Sequence, residues 1–249
     1  MLSKSQISLI TSLQHKKFRH QHNLFIVEGH KSVIEFAQSS YRLEAIYYTP
    51  EFSSKLLKLS NKINFQEISV VDMARISCLK TPPGVLALVN IPVSPLLDYS
   101  LLKEKFSLAL DGVQDPGNMG TIIRTADWFG IGHIICSDDT VDVYNPKVVQ
   151  ATMGSLSRVK IHYTSLADTL PALQLNIFGA LLNGENIYNT TFGTEGILIM
   201  GNEGNGIRPQ IQEVINTPVT IPQAGKAESL NVAMATAIFC SEICRNTLK

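Results

Sequence analysis

From Phe106 onward, short apolar runs rich in β-branched residues alternate with helix-like segments, and this alternation restricts the fold more than any other property of the chain. Strands are expected at Phe106 to Leu110, His133 to Cys136, Val159 to His162, Ile177 to Leu182, Ile197 to Met200 and Val219 to Ile221. Helices are expected between them, at Thr121 to Phe129, Pro146 to Met153, Ser165 to Leu173 and Ile207 to Ile215, with a last one at Leu230 to Asn246. Apolar strands separated by helices specify an α/β fold with a mostly parallel sheet covered on both faces. Ligands of such sheets bind beyond the carboxyl ends of the strands.

The preceding part reads as a smaller α/β unit. Helices are expected at Lys4 to Leu13, Lys31 to Gln38, Glu51 to Leu59 and Val71 to Ser77, and strands at Leu24 to Glu28, Leu43 to Tyr48, Phe65 to Ile68 and Val85 to Val89. Asn90 to Ser100 carries two prolines and no periodicity, which marks a linker. The expected division is a first domain over 1–92, a linker over 93–104 and a second domain over 105–249.

With 249 residues, 45% of them hydrophobic, the chain can bury a sizeable core. No apolar run reaches the roughly 18 to 20 residues of a membrane span, and the N-terminus lacks a signal-peptide stretch, so a cytoplasmic location is expected. The four cysteines, Cys78, Cys136, Cys240 and Cys244, form no CxxC pair, so neither a zinc site nor a disulfide framework is indicated. Formal net charge is zero, yet Met1 to His22 holds Lys4, Lys16, Lys17 and Arg19 with no acidic residue. On charge alone this arm is either solvated or a phosphate contact.

Three strands run into polar, glycine-rich loops that open helices: Asp111 to Gly120, Gly201 to Gly206, and Ile221 to Asn231. Uncovered backbone amides make such loops ligand cradles. The order GxxGxG at Gly201 to Gly206 is not a dinucleotide fingerprint, and Gly225-Lys226 is followed by Ala227 where a P-loop needs Ser or Thr. Asn118, Arg124, Glu203, Ser229 and Asn231 fall in these loops or just inside their helices. The set is poor in nucleophiles and metal ligands and rich in positioning groups, which suits transfer of an already activated group. The last helix carries small residues at Ala233, Ala237, Cys240 and Cys244, one face that packs either within the molecule or at a subunit interface.

The three loops resemble the three motifs of the SpoU (TrmH) family of RNA ribose 2′-O-methyltransferases: Asn118-Met-Gly-Thr-Ile-Ile-Arg-Thr-Ala126, Ile199-Met-Gly-Asn-Glu-Gly-Asn-Gly206, and Ile221-Pro222 with Glu228-Ser-Leu-Asn-Val-Ala233. Asn145 to Ser155 resembles the family's middle segment. Phe25-Ile-Val-Glu-Gly29 and Thr81 to Ala87 resemble the small L30e-like RNA-binding domain that often precedes the catalytic one.

That resemblance implies a SPOUT-type sheet whose C-terminal segment is threaded as a trefoil knot, a homodimer, and S-adenosyl-L-methionine as cofactor. It implies a cofactor pocket at Leu181, Leu182, Asn183, Gly184, Met200, Gly201, Ile221 and Leu230. The implied reaction is metal-free in-line attack of a ribose 2′-hydroxyl on the sulfonium methyl, releasing S-adenosylhomocysteine. Arg124 would hold the phosphate beside the target ribose and orient the hydroxyl. Asn118 and Glu203 would shape the site, and Ser229 and Asn231 would hold RNA phosphate and the motif loops. With this resemblance the basic arm reads as a phosphate contact through Lys16, Lys17 and Arg19. Ribosomal RNA is the expected substrate, with transfer RNA, or a non-catalytic RNA-binding role in ribosome assembly, as alternatives.

Overall fold

Ser3 opens the first helix with a capping box: its hydroxyl accepts from the Gln6 N–H, and the Gln6 side chain accepts from the Ser3 N–H. The computed structural model describes residues 1–56, 59, 63–93 and 97–245. In chain order the elements are α1 (Lys4–Ser12), α2 (Lys16–His22), β1 (Leu24–Glu28), α3 (His30–Ala37), β2 (Leu43–Tyr48), α4 (Ser53–Leu56), β3 (Asn64–Glu67), α5 (Val70–Ile76) and β4 (Val85–Asn90). They continue with α6 (Tyr99–Leu102), β5 (Phe106–Asp111), α7 (Pro116–Trp128), β6 (His133–Cys136), α8 (Pro146–Ala151), β7 (Lys160–Tyr163), α9 (Leu166–Ala172), β8 (Ile177–Asn186), β9 (Gly196–Gly201), α10 (Pro209–Gln212), β10 (Thr217–Thr220) and α11 (Val232–Cys244). Residues 57 and 58 of the helix expected at Glu51 to Leu59, 94–96 of the linker, and Asn246 of the last helix lie outside the described residues.

The chain packs as two units, one of residues 1–93 with 142–157 and one of 94–141 with 158–249. The segment 142–157, read from sequence as part of the second domain, therefore belongs to the first unit.

In the first unit a four-stranded sheet runs β1-β4-β2-β3, with β4 antiparallel to both β1 and β2, and β2 parallel to β3. Every side chain of β1 is buried, so both faces of the strand are covered. Leu24 and Ile26 face a core with Ile10, Leu13, Met73 and Ile76, where α1 packs on α5. Phe25, on the opposite face, meets Phe36, Tyr41 and Tyr144 at ring-centroid distances of 5.7, 5.9 and 4.6 Å. Tyr144 and α8 come from the inserted segment and cover β1 there.

The basic arm is helical rather than loose, because α2 is anchored by its own arginine. Arg19 is 2% exposed and donates to Asp142 Oδ2 through Nε (3.1 Å) and Nη2 (2.5 Å), and to the Leu13 and Gln14 carbonyls through Nη1, both at 2.9 Å. This corrects the expectation that Arg19 contacts RNA: four of the five guanidinium N–H donors are spent on the Asp142 carboxylate and two carbonyls, and the side chain is buried away from any phosphate. Lys16 and Lys17 remain exposed.

In the second unit six parallel strands run β10-β8-β9-β5-β6-β7. Strands β5 and β9 are neighbours at the point where the strand order reverses. One face of the sheet is closed by α9 and α10, with Ala109, Ile135, Ile177, Ile197 and Ile199 against Leu166, Leu170 and Ile211. On α7 the buried residues are Met119, Gly120, Ile122, Ile123 and Ala126, and α11 packs against α7 and β9. Ala233, Cys240 and Cys244 are buried, with the Cys244 thiol 3.6 Å from the Phe129 carbonyl, so the small-residue face of α11 is used inside the unit.

Two boundaries moved for local reasons. The Pro/Gly stretch before Thr121 is the first turn of α7, since Asp115 caps it and Pro116 at N1 lacks only an N–H the helix does not use. The helix expected from Ile207 starts at Pro209, because Arg208 is held extended by a bond from its backbone N–H to Asp111. Among the described residues no helix is long and apolar enough to cross a membrane, and no three His, Cys, Asp or Glu side chains are placed to hold a metal ion.

Candidate active site

Asp111 ends β5, Gly201 ends β9 and Thr220 ends β10, so the loops that follow all leave the same edge of the parallel sheet. The loop after β9 closes on itself first: Asn202 and Gly206 exchange backbone hydrogen bonds at 3.0 and 2.9 Å, and Asn202 Oδ1 accepts from Gly204 N and Asn205 N. A Cβ on Gly201 would lie 2.2 Å from the Gly206 carbonyl carbon, so this closure tolerates no side chain. The closed loop is then pinned to β5. Asn202 Nδ2 donates to the Gly112 carbonyl at 2.7 Å, and Asp111, buried, accepts from Arg208 N at 2.8 Å, from Nε at 2.7 Å and from Nη2. The hydrogen bond to Asp111 raises the Arg208 pKa above its ordinary value, against the opposing effect of desolvation.

This scaffold holds Glu203 against the first turn of α7. Asn118 Nδ2 donates to Glu203 Oε1 at 2.7 Å, and Asn118 Oδ1 accepts from Asn231 Nδ2 at 3.0 Å. Asn231 is also the N-cap of α11, its Oδ1 accepting from Ala233 N and Met234 N. One chain of side-chain bonds therefore runs through all three loops, from Glu203 through Asn118 to Asn231. It brings together the N-termini of two helices of 13 residues each, α7 and α11.

Beside this chain lies a cavity of about 800 Å³. Of the residues expected at the cofactor, Leu181, Leu182, Met200, Gly201, Ile221 and Leu230 line it, and Asn183 and Gly184 do not. Strand register shapes this wall of the cavity. Pairing of β8 with β10 jumps from Gly179↔Pro218 to Glu185↔Val219, and pairing of β8 with β9 ends at Gly179, so residues 180–184 leave both ladders. Their peptide groups are released from the sheet at the cavity wall, where Thr220 Oγ1 donates to the Leu182 carbonyl at 3.2 Å. Gly184 closes the excursion: a Cβ there would sit 2.5 Å from Val219 N, so β10 runs against bare backbone.

Glu203 and Ser229 line the same cavity. Arg124 stands apart from the bonded chain. It is exposed in the third turn of α7 and, among the described residues, makes no hydrogen bond or ion pair. Asp111, Asn202 and Arg208 were missed by sequence reasoning as site residues. A signal existed in the acid that closes the apolar run Ser107-Leu-Ala-Leu-Asp111, because a carboxylate at the end of a buried strand requires a cation partner.

Known proteins resemble this chain in sequence and in fold. The family described as SpoU rRNA Methylase matches residues 105–241, and an MRM3-like substrate binding domain matches residues 4–87. The 23S rRNA (guanosine(2553)-2′-O)-methyltransferase RlmP of Bacillus subtilis is 32% identical over 91% of either chain. A TrmH-family protein of Porphyromonas gingivalis has a structure similar at a TM-score of 0.91, with 40% identity over 99% of both chains. An S-adenosylmethionine-bound rRNA methyltransferase of Sinorhizobium meliloti aligns at a TM-score of 0.88 and 29% identity, over 100% of this chain and 97% of that one. The fold is thus the one expected, a parallel C-terminal sheet typical of the SPOUT-family knotted fold preceded by a smaller mixed-sheet unit. With the three loops joined through Asn118 and the match spanning the second unit, the chain belongs to the SpoU rRNA Methylase family.

Proposed function

We propose that the protein transfers the methyl group of S-adenosyl-L-methionine to a ribose 2′-hydroxyl of 23S ribosomal RNA, in the cytoplasm and as a homodimer. The observation that carries this reading is the Glu203–Asn118–Asn231 chain at the rim of the cavity, with an uncommitted Arg124 on the same helix as Asn118. Similarity to RlmP over nearly the whole chain supports ribosomal RNA. The exposed apolar side chains Leu182, Leu230 and Met234 support burial against a second copy. The first unit is proposed to hold the RNA substrate, with Lys16 and Lys17 on its phosphates.

The residues present fit the cofactor. Cavities of about 300 to 1,000 Å³ hold small molecules of this size. Met200, Ile221 and Leu230 offer apolar walls for an adenine, and the backbone of 180–182, outside both strand ladders, lines the same cavity. When bound, S-adenosylmethionine supplies an electrophilic methyl group on a sulfonium.

Positioning is the task left to the protein. Arg124 holds the phosphate beside the target ribose and aligns the 2′-hydroxyl. A guanidinium keeps its proton and places charge, so the hydroxyl proton leaves late, toward the substrate phosphate. Asn118 and Glu203 keep the rim in register, and Asn231 with Ser229 holds the third loop beside it. Alignment of this kind contributes several kcal/mol to the lowering of a transfer barrier.

Transfer of tritium from labelled S-adenosylmethionine to unmodified 23S rRNA, followed by nuclease mapping, tests the proposal. One 2′-O-methylated nucleotide, lost in Arg124→Ala with cofactor binding retained, is expected. Full activity of Arg124→Ala removes its assigned role, labelling confined to transfer RNA redirects the substrate, and cofactor binding without transfer to any RNA favours an assembly factor.

A further inference from the structure

Trp128 is the only tryptophan in the chain, and it is 83% exposed at the last position of α7. Helix periodicity separates it from the packing face. Met119, Ile122, Ile123 and Ala126 point inward, whereas Thr121, Arg124 and Trp128, spaced by three and four residues, are exposed together. The indole lies one turn beyond Arg124, roughly 6 Å along the helix axis. Its neighbour Asp127 holds a second guanidinium, that of Arg158, with Nε at 3.0 and 3.1 Å and Nη2 at 2.8 Å, and the Arg158 side chain is 47% exposed. A flat aromatic face is thus exposed one helical turn beyond Arg124, and the acid next to it in sequence, Asp127, is neutralised by Arg158.

We propose that Trp128 stacks on a base of the substrate RNA flanking the ribose engaged by Arg124. The inference rests on the methyltransferase reading above and adds a recognition element to it. A stacking platform beside cations is the arrangement by which proteins hold unpaired nucleotides, because every base has a π-face and every linkage a phosphate. With Arg158 and Asp127 offsetting each other, the charge of Arg124 selects a polyanion over an apolar protein segment as the occupant.

A single tryptophan makes the test direct. Full-length protein with S-adenosylhomocysteine is titrated with unmodified 23S rRNA transcript, and indole emission is followed. Quenching is expected. Trp128→Ala should weaken RNA binding about tenfold, with the salt slope and cofactor affinity unchanged, since stacking releases no counterions. Trp128→Phe should recover most of the loss. Unquenched emission, or equal RNA affinity of Trp128→Ala and the wild type, overturns the inference while leaving the methyltransferase reading intact if transfer persists. Blue-shifted emission before RNA is added, together with dissociation of the Trp128→Ala protein into monomers, assigns the indole to a contact between two copies and overturns it as well. Failure of the wild type to bind or methylate the transcript overturns both readings.

Discussion

Asp111 and Arg208 lie 97 positions apart and are joined by three hydrogen bonds, one from the arginine backbone and two from its guanidinium, on a carboxylate with no solvent exposure. This pair fastens the second motif loop to the end of the strand that feeds the first. Arg208→Ala leaves a buried carboxylate without its cation, and breaking such a pair from one side costs about 3 kcal/mol. A drop of that order in urea-denaturation stability is expected, together with a lower turnover number because Glu203 loses its register. A variant as stable as the wild type would show that the loop is held by Asn202 alone.

Asn118 bonds Glu203 and Asn231 through opposite ends of one amide. Asn118→Ala should cut the linkage between all three loops and lower methyl transfer about 100-fold, the scale reported for loss of one preorganised polar group. Glu203→Gln can present its amide oxygen to the same donor and should lose less. The reverse ranking, measured as kcat on a common RNA, would mean that the charge of Glu203 matters more than its bond to Asn118.

The basic arm divides into residues with opposite fates. Arg19→Ala removes a buried guanidinium from the part-buried Asp142 carboxylate and should cost about 2 kcal/mol of stability. Replacing the exposed Lys16 and Lys17 by alanine should leave stability unchanged, weaken RNA binding and reduce the salt slope of log K by about one unit per lysine. Fluorescence-anisotropy titrations at several salt concentrations, run beside denaturation, separate the two. An unaltered salt slope would remove the lysines from the RNA contact.

His162 is 4% exposed, its ring stacked 5.4 Å from His133 with Nε2 at 3.1 Å from the His133 Nδ1. Burial, and then the charges of His133 and Lys160, push its pKa down to about 4. An unfolded histidine titrates near about 6.5, so between that value and about 4 the unfolded chain takes up a proton that the folded one refuses. Stability is whole above the upper limit and is lost as pH falls through the window. His162→Gln should therefore lose on the order of 1 to 2 kcal/mol less than the wild type between pH 7 and pH 4.5. Identical losses in both proteins, read from denaturation midpoints, would place the acid sensitivity elsewhere.

Much of the fold was legible because its strands are apolar on both faces. The strands at Leu24–Glu28, Leu43–Tyr48 and His133–Cys136 fall where periodicity places them. What was hidden depended on partners far along the chain. Nothing local marks Arg19 as buried, since its carboxylate lies 123 positions away. The first turn of α7 looked like a loop because proline and glycine dominate it, although Asp115 and Pro116 are start signals for a helix. At the site, Asn118, Glu203 and Asn231 were singled out by their loops, but that a single amide joins them required the three strand ends at one edge of the folded sheet. The register jump in β8 that frees residues 180–184 has no periodic signature, since their neighbours still read as strand.

The inserted segment 142–157 means that the polypeptide passes between the two units at three places, not one. Asp142 neutralises Arg19 and Tyr144 covers Phe25, so the substrate-binding unit is completed by residues that a cut after position 93 would discard. Exchanging this unit between relatives as a cassette, in the laboratory or by recombination, requires two matched pieces of gene to travel together. A relative can gain a new N-terminal specificity by that route only if its middle segment changes with it.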